Sequence, residues 1–263
     1  SVLVKAEVDG ETVYLNGSTH YAELGTSSFH RRPELDLKSG KIGKVQVASS
    51  KKDRSHNVIE ISIAANGETG MTFSTKKHGT AFESFHRTYA EMTPEKRRRH
   101  YLELVSAISQ SATAVTELVT DYSLYPGRRS FSIAADRYAV ADGDYLYFNV
   151  PAGLGGLIQY RSSERTLPLA WKRYVDHIIE VNMILPDGYE PVIMPKDFSW
   201  MAPGGGLIEV AVDYSERANA IRMVFMADLK PALIPAADFP DIIEAGRKLA
   251  HPDMHTILLK RTE

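Results

Sequence analysis

Apolar and polar positions alternate along most of this chain with a period of two residues, the signature of strands with one buried face. Residues 1–16 read as two strands about Asp9-Gly10. An Asp-Gly pair turns a tight hairpin because glycine takes positive φ at no steric cost. Residues 17–56 are weakly periodic and rich in Ser, Gly, Lys and His, with a short strand expected at Lys44-Val45-Gln46-Val47. A second hairpin is expected over 57–76, with Ile59, Ile61 and Ile63 on one face and Asn66-Gly67 at the turn.

The period changes over 80–109. Thr80 and Glu83 fit a capping box, and Phe82, Phe85 and Tyr89 share one helical face. Thr93-Pro94-Glu95 opens a second helix whose apolar stripe is Tyr101, Leu104, Val105 and Ile108. Strands return at 115–119, 131–133, 145–150, 177–185, 207–214, 220–225 and 255–260, between turns at Pro126-Gly127, Asp142-Gly143, Asp187-Gly188 and Gly204-Gly205-Gly206. A last helix is expected over 238–250, capped by Asp238, with Ile242, Ile243 and Leu249 toward the core. This order predicts a mainly β (α+β) chain: an antiparallel β-sandwich with an inserted helical hairpin and a C-terminal helix. Weak boundaries near residues 50 and 163 divide it into terminal strands and a loop over 1–50 and a β-sandwich region over 51–263.

Composition narrows the chemistry. The 263 residues are 43% hydrophobic and 24% charged, the ordinary globular mixture. A formal net charge of -2 gives no general attraction to nucleic acid. No apolar run reaches the roughly eighteen residues of a membrane span. The chain opens without Met, inside an apolar β pattern and without the layout of a signal peptide, which reads as a boundary within a longer protein. The chain has no cysteine, which removes disulfides, thiolate metal sites and a cysteine nucleophile together.

The remaining motifs favour structure over chemistry. None of the nine histidines makes a metal-binding spacing; His251 and His255 are four apart, but Pro252 intervenes. The run Lys96-Arg97-Arg98-Arg99-His100 is short enough to be a solvated helix face. The glycine clusters lack the following lysine of a phosphate loop, and no serine sits in a Gly-x-Ser-x-Gly elbow. Trp171 and Trp200 are the best aromatic candidates for a carbohydrate or peptide surface, although such residues more often fill a sandwich core. No cofactor or metal is expected.

The order of elements resembles a known family. The opening Val2-Leu3-Val4-Lys5-Ala6-Glu7-Val8 and the strand ending at Asn16-Gly17-Ser18-Thr19 resemble the end of a bacterial transglutaminase-like domain. Asn66-Gly67-Glu68-Thr69-Gly70, Leu167-Pro168-Leu169, Ile184-Leu185-Pro186-Asp187-Gly188-Tyr189 and Ile234-Pro235-Ala236-Ala237-Asp238 resemble the region downstream of that core, in proteins with flanking modules of the DUF3857 and DUF3858 type. The resemblance implies a catalytic Cys and His located before Ser1. The position of the aspartate that orients the histidine falls on Asn16. An amide can accept the imidazole N–H but carries no charge. Asn16 equally suits a turn before Gly17.

The leading expectation is therefore a non-catalytic C-terminal module of a transglutaminase-like protein. It would pack on that core or bind a substrate or partner, in a bacterial periplasmic or secreted setting. The alternatives are a free-standing carbohydrate- or peptide-binding module, and a hydrolase using histidine and carboxylates.

Overall fold

The computed structural model describes residues 2–15, 20–160, 164–172 and 174–262. Two small ribbons come first: β1 (Val4–Val8) with β2 (Glu11–Leu15), and β3 (Pro33–Leu35) with β4 (Ile42–Lys44). The long hairpin β5 (Arg54–Ile63) and β6 (Thr69–His78) leads into α1 (Thr80–Ala90) and α2 (Pro94–Ser106). Then come β7 (Ala112–Ala114), β8 (Val119–Asp121), β9 (Gly127–Ala135), β10 (Val140–Asp142) and β11 (Tyr145–Asn149). The second half holds β12 (Leu169–Trp171), β13 (Val175–Ile184), β14 (Tyr189–Ile193), β15 (Phe198–Met201), β16 (Gly206–Ser215), β17 (Ala220–Leu229) and β18 (Ala232–Ile234). It ends with α3 (Phe239–Ala250) and β19 (Thr256–Arg261).

The expected mixture of antiparallel sheets, a packed helix pair and a C-terminal helix is present. One nine-stranded sheet runs β15-β16-β17-β13-β5-β6-β9-β7, with β8 also on β9. A four-stranded sheet runs β10-β11-β19-β14. Ile59, Ile61, Met71, Phe131, Val181, Met223, Phe225 and Val210 of the large sheet join Leu146, Phe148, Ile257 and Leu259 of the small one and Phe239, Ile242 and Leu249 of α3 in one buried cluster. The large sheet has one parallel pair: β5 lies beside β13, with Ser55 to Ser62 opposite His177 to Ile184. A single sheet thus continues through both halves of the chain.

The first turn forms as read, Val8 opposite Glu11, with Asp9 and Gly10 both at positive φ. Three local expectations are corrected. Thr80 is the first residue of α1, and Gly79 occupies its N-cap without a side chain. The cap comes from Asp53, one oxygen of which accepts from Thr80 N at 2.5 Å and from Thr80 Oγ1 at 2.8 Å, so no capping box is needed. The strand expected at 44–47 ends at Lys44. Val45 and Val47 pair with the loop before β3 instead: Val45 N donates to Arg32 O and Val47 N to His30 Nδ1. The strand expected at 115–119 is broken, because Val115 N and Thr116 N both reach Ser132 O, leaving β7 and β8 as separate pairs on β9.

Candidate functional site

The ribbons at the start of the chain build a surface of unusual character. Alternation in β1 and β2 sends Tyr14 inward, where it packs with Val45, Val47, Leu3 and Phe29 in a small core separate from the main one. Burial, and then the Glu34 carboxylate beside it, push the Tyr14 hydroxyl above its ordinary pKa. Around this core lies a groove of about 480 Å³, lined by Val2, Leu3, Tyr14, Phe29, Leu35, Leu37 and Val45, with Lys5, Arg32, Glu34, Asp36 and Lys38 among its polar residues. Lys5 and Glu34 lie 3.9 Å apart within it.

The apolar part of the groove is open to solvent: Val2, Leu35 and Leu37 line it, and Val4 and Ile42 lie on the same ribbons outside its lining. Val2 is 84% exposed, Leu37 84% and Ile42 82%, and Val4 and Leu35 are also exposed. Scattered surface hydrophobes need no explanation; here several large ones gather on two adjoining ribbons beside a groove. Polar ties hold these first residues to the rest: Tyr21 donates to Glu91 at 2.9 Å, and Lys51 pairs with Glu23 at 2.7 Å. His30 accepts from Val47 N at 3.1 Å, and burial, then Lys52 and Arg31, lower its pKa.

Trp171 and Trp200 do lie together. Both line a cleft with Ala202, Pro203, Leu229, Ile234 and Ile242, next to the start of α3. Trp200 Nε1 donates to Asp241 Oδ2 at 2.9 Å, whereas Trp171 Nε1 is buried without an acceptor. The space between them is about 10 Å³, room for about one water and far less than a sugar ring requires. Asn16, the remaining candidate, lies outside the described residues.

Among the described residues no group of three His, Asp or Glu side chains is placed to hold a metal ion. His56 and Glu180 come within 2.9 Å, with Arg222 3.3 Å from the other carboxylate oxygen, forming a cross-strand ladder on the outer face of the large sheet. For Glu180 burial opposes ionisation, but bonds from His56 and Arg222 outweigh it and lower its pKa. His56 and Glu180 are 124 positions apart and Glu180 and Arg222 are 42 apart, which made the ladder unreadable in the sequence.

Residues 144–259 match the family model of DUF3858, a domain of unknown function with a solved structure, found in a transglutaminase-like family of bacterial proteins. No curated protein matches the chain. A crystal structure from Parabacteroides distasonis, of a protein provisionally described as a protease, aligns over 98% of this chain at 13% identity with a TM-score of 0.49. The aligned part is 35% of that protein, so the chain spans about a third of its length. With no cysteine in these 263 residues, a cysteine nucleophile can come only from outside them.

Proposed function

We propose that this chain is a non-catalytic β-sandwich module that packs against a transglutaminase-like core of the same protein, through the groove and apolar residues of its first ribbons. The exposed set Val2, Val4, Leu35, Leu37 and Ile42 carries the reading. Burying one such side chain contributes roughly 1.5–3 kcal/mol, so three of them in the groove and two more on its ribbons form a strong docking surface for a folded partner. The occurrence of DUF3858 domains with transglutaminase-like cores in other proteins supports that choice of partner. Periplasmic or secreted bacterial proteins are the setting the reading implies. In this reading Asn16, which falls on the family's aspartate position in the sequence resemblance, would orient a histidine of that core.

The test is made in the full-length natural protein. Replacing Leu37 and Ile42 by aspartate should loosen the core from the module, seen as new protease-sensitive sites and separate unfolding transitions. Asn16→Ala should lower acyl-transfer or hydrolysis rates, and Asn16→Asp should restore or raise them. A doubly substituted protein that still unfolds as one unit, with unchanged proteolysis, would overturn the docking surface.

A further inference from the structure

A second site lies on the inner face of the large sheet, at the end away from the main core. Sheet register sets Lys77, Ser55 and His177 side by side in one row, and Arg129, Thr75 and Asn57 in the next. Side chains two residues apart on a strand share a face. The same face carries the buried Ile59, Phe131 and Val181 further along these strands, so the two polar rows continue the core-facing side.

Hydrogen bonding within the rows leaves a particular remainder. Thr75 Oγ1 donates to Asn57 Oδ1 at 2.9 Å, and Asn57 Nδ2 reaches His177 Nε2 at 3.0 Å. With the Asn57 amide nitrogen as donor, that ring nitrogen serves as the acceptor. Lys77 Nζ donates to Ser55 Oγ at 2.5 Å, which leaves the Ser55 hydroxyl proton and two ammonium protons free. Arg129 Nε is buried and has no partner. Lys77 and Arg129 are diagonal neighbours across β6 and β9, a spacing that long side chains bridge.

No counter-charge answers these two cations. Among the described residues no carboxylate lies within ion-pair distance of Lys77 or Arg129. Asp176, next to His177 in sequence, points to the opposite face and is held by Arg54 at 2.9 Å. Burial, then Arg129, lower the Lys77 pKa; burial, then Lys77, lower that of His177. Burial and Arg129 act the same way on His100 of α2, with Glu103 opposing them. Lys77 is bonded to the neutral Ser55 hydroxyl and Arg129 lies over the Phe131 ring at 5.9 Å, but two half-buried cations without a carboxylate cost stability as they stand.

We propose that Lys77, Arg129 and Ser55 form an oxyanion-binding site, which takes a carboxylate or phosphate group. The guanidinium fork and the ammonium supply charge-assisted bonds, and the serine hydroxyl a neutral one. The site lies on the core-facing side of the long sheet, apart from the ribbon surface, and does not depend on the docking reading.

Calorimetric titration of this chain with sodium phosphate and with sodium acetate, at constant ionic strength held by sodium chloride, tests the site. Saturable binding of either anion is expected, and Lys77→Met and Arg129→Met should each weaken it by about tenfold or more. Phosphate alone binding assigns a phosphate group; acetate alone assigns a carboxylate such as a chain terminus or acidic side chain. Lys77→Met without anion should be at least as stable as the parent, since it removes an unpaired buried charge. Should a charge variant fail to fold, Ser55→Ala should still weaken binding several-fold. No saturable binding of either anion, or binding unchanged in the variants, overturns the proposal.

Discussion

Replacing Asp53 by alanine removes the acceptor on which the first helix begins. The Asp53 carboxylate receives two donors from Thr80, at 2.5 and 2.8 Å, across a gap of 27 residues in sequence. Losing a side-chain N-cap costs about 0.5–2 kcal/mol, and losing a negative charge at the positive end of a helix about 0.3–1 kcal/mol more. Because one oxygen serves both donors in a half-buried place, Asp53→Ala should lie near the upper end, about 2 kcal/mol. Asp53→Asn keeps an acceptor and loses only charge, so it should cost about 1 kcal/mol or less. With a urea slope of about 3 kcal/mol/M, the midpoint of Asp53→Ala falls by about 0.7 M. Urea unfolding followed by circular dichroism reads this, and hydrogen exchange localises it. The Thr80 amide should lose protection in Asp53→Ala and keep it in Asp53→Asn. An unchanged midpoint in Asp53→Ala refutes the cap, and equal losses in the two variants refute the part assigned to the hydrogen-bond acceptor. Gly79→Ala should exceed both, because φ is +64° there and an added Cβ would lie 2.5 Å from the Asp53 backbone nitrogen, which cannot swing away.

Stability should fall as pH drops below about 6.5, the ordinary histidine value, because burial is the first cause lowering His30, His78, His100 and His177. The unfolded chain then binds more protons than the folded one, so stability rises with pH up to about 6.5 and levels off above it; a flat urea midpoint between pH 5 and 7 would contradict this. Trp171→Phe should be close to neutral in thermal unfolding, since it keeps most of the ring and removes an N–H buried without an acceptor, whereas Trp171→Ala should cost about 2 kcal/mol or more. Gly127→Ala should unseat the helix pair, because the new Cβ would lie 2.6 Å from the Phe85 ring; the check is faster amide exchange in α1 and β9 with β16 and β17 unaffected.

Legibility in the sequence followed the range of the interactions. Asp9-Gly10 and Asn66-Gly67 act on their own backbones, so both hairpins could be read. Thr93-Pro94-Glu95 marked the start of α2 equally plainly, and the Thr93 side chain there accepts from Lys96 N. The cap of α1 was misassigned because Asp53 reaches it from the far end of a hairpin. Lys44-Val45-Gln46-Val47 has strand alternation, but the valines are buried by Tyr14 and a loop rather than by a neighbouring strand. Lys77, Ser55, His177 and Arg129 share a face only because β5 pairs with β13 in parallel and β6 with β9. No local spacing could have joined them. The lysine, serine and arginine lie just outside the strands expected at 57–76 and 131–133, so none was singled out.

That parallel pair also decides what can fold by itself. The family match covers residues 144–259 and so includes β13 with its neighbour β17, but not β5 on its other side. Cut at that boundary, β13 would present an open edge over His177 to Ile184, with Ile179, Val181 and Met183 no longer covered by Ile59 and Ile61. Each isoleucine lost from the core represents roughly 1.5–3 kcal/mol of burial, and a long apolar edge is a template for pairing with another chain. Against a typical domain stability of about 5–15 kcal/mol, the loss is large. The segment 144–263 expressed alone should therefore oligomerise or aggregate and unfold without a cooperative transition. Supplying the β5–β6 hairpin, fused or in trans, should restore a monomer. A monomeric fragment that unfolds cooperatively near the temperature of the whole chain would show that β13 needs no second neighbour. It would also mean that the long sheet is two sheets laid edge to edge, with its inner-face polar rows lying across the seam.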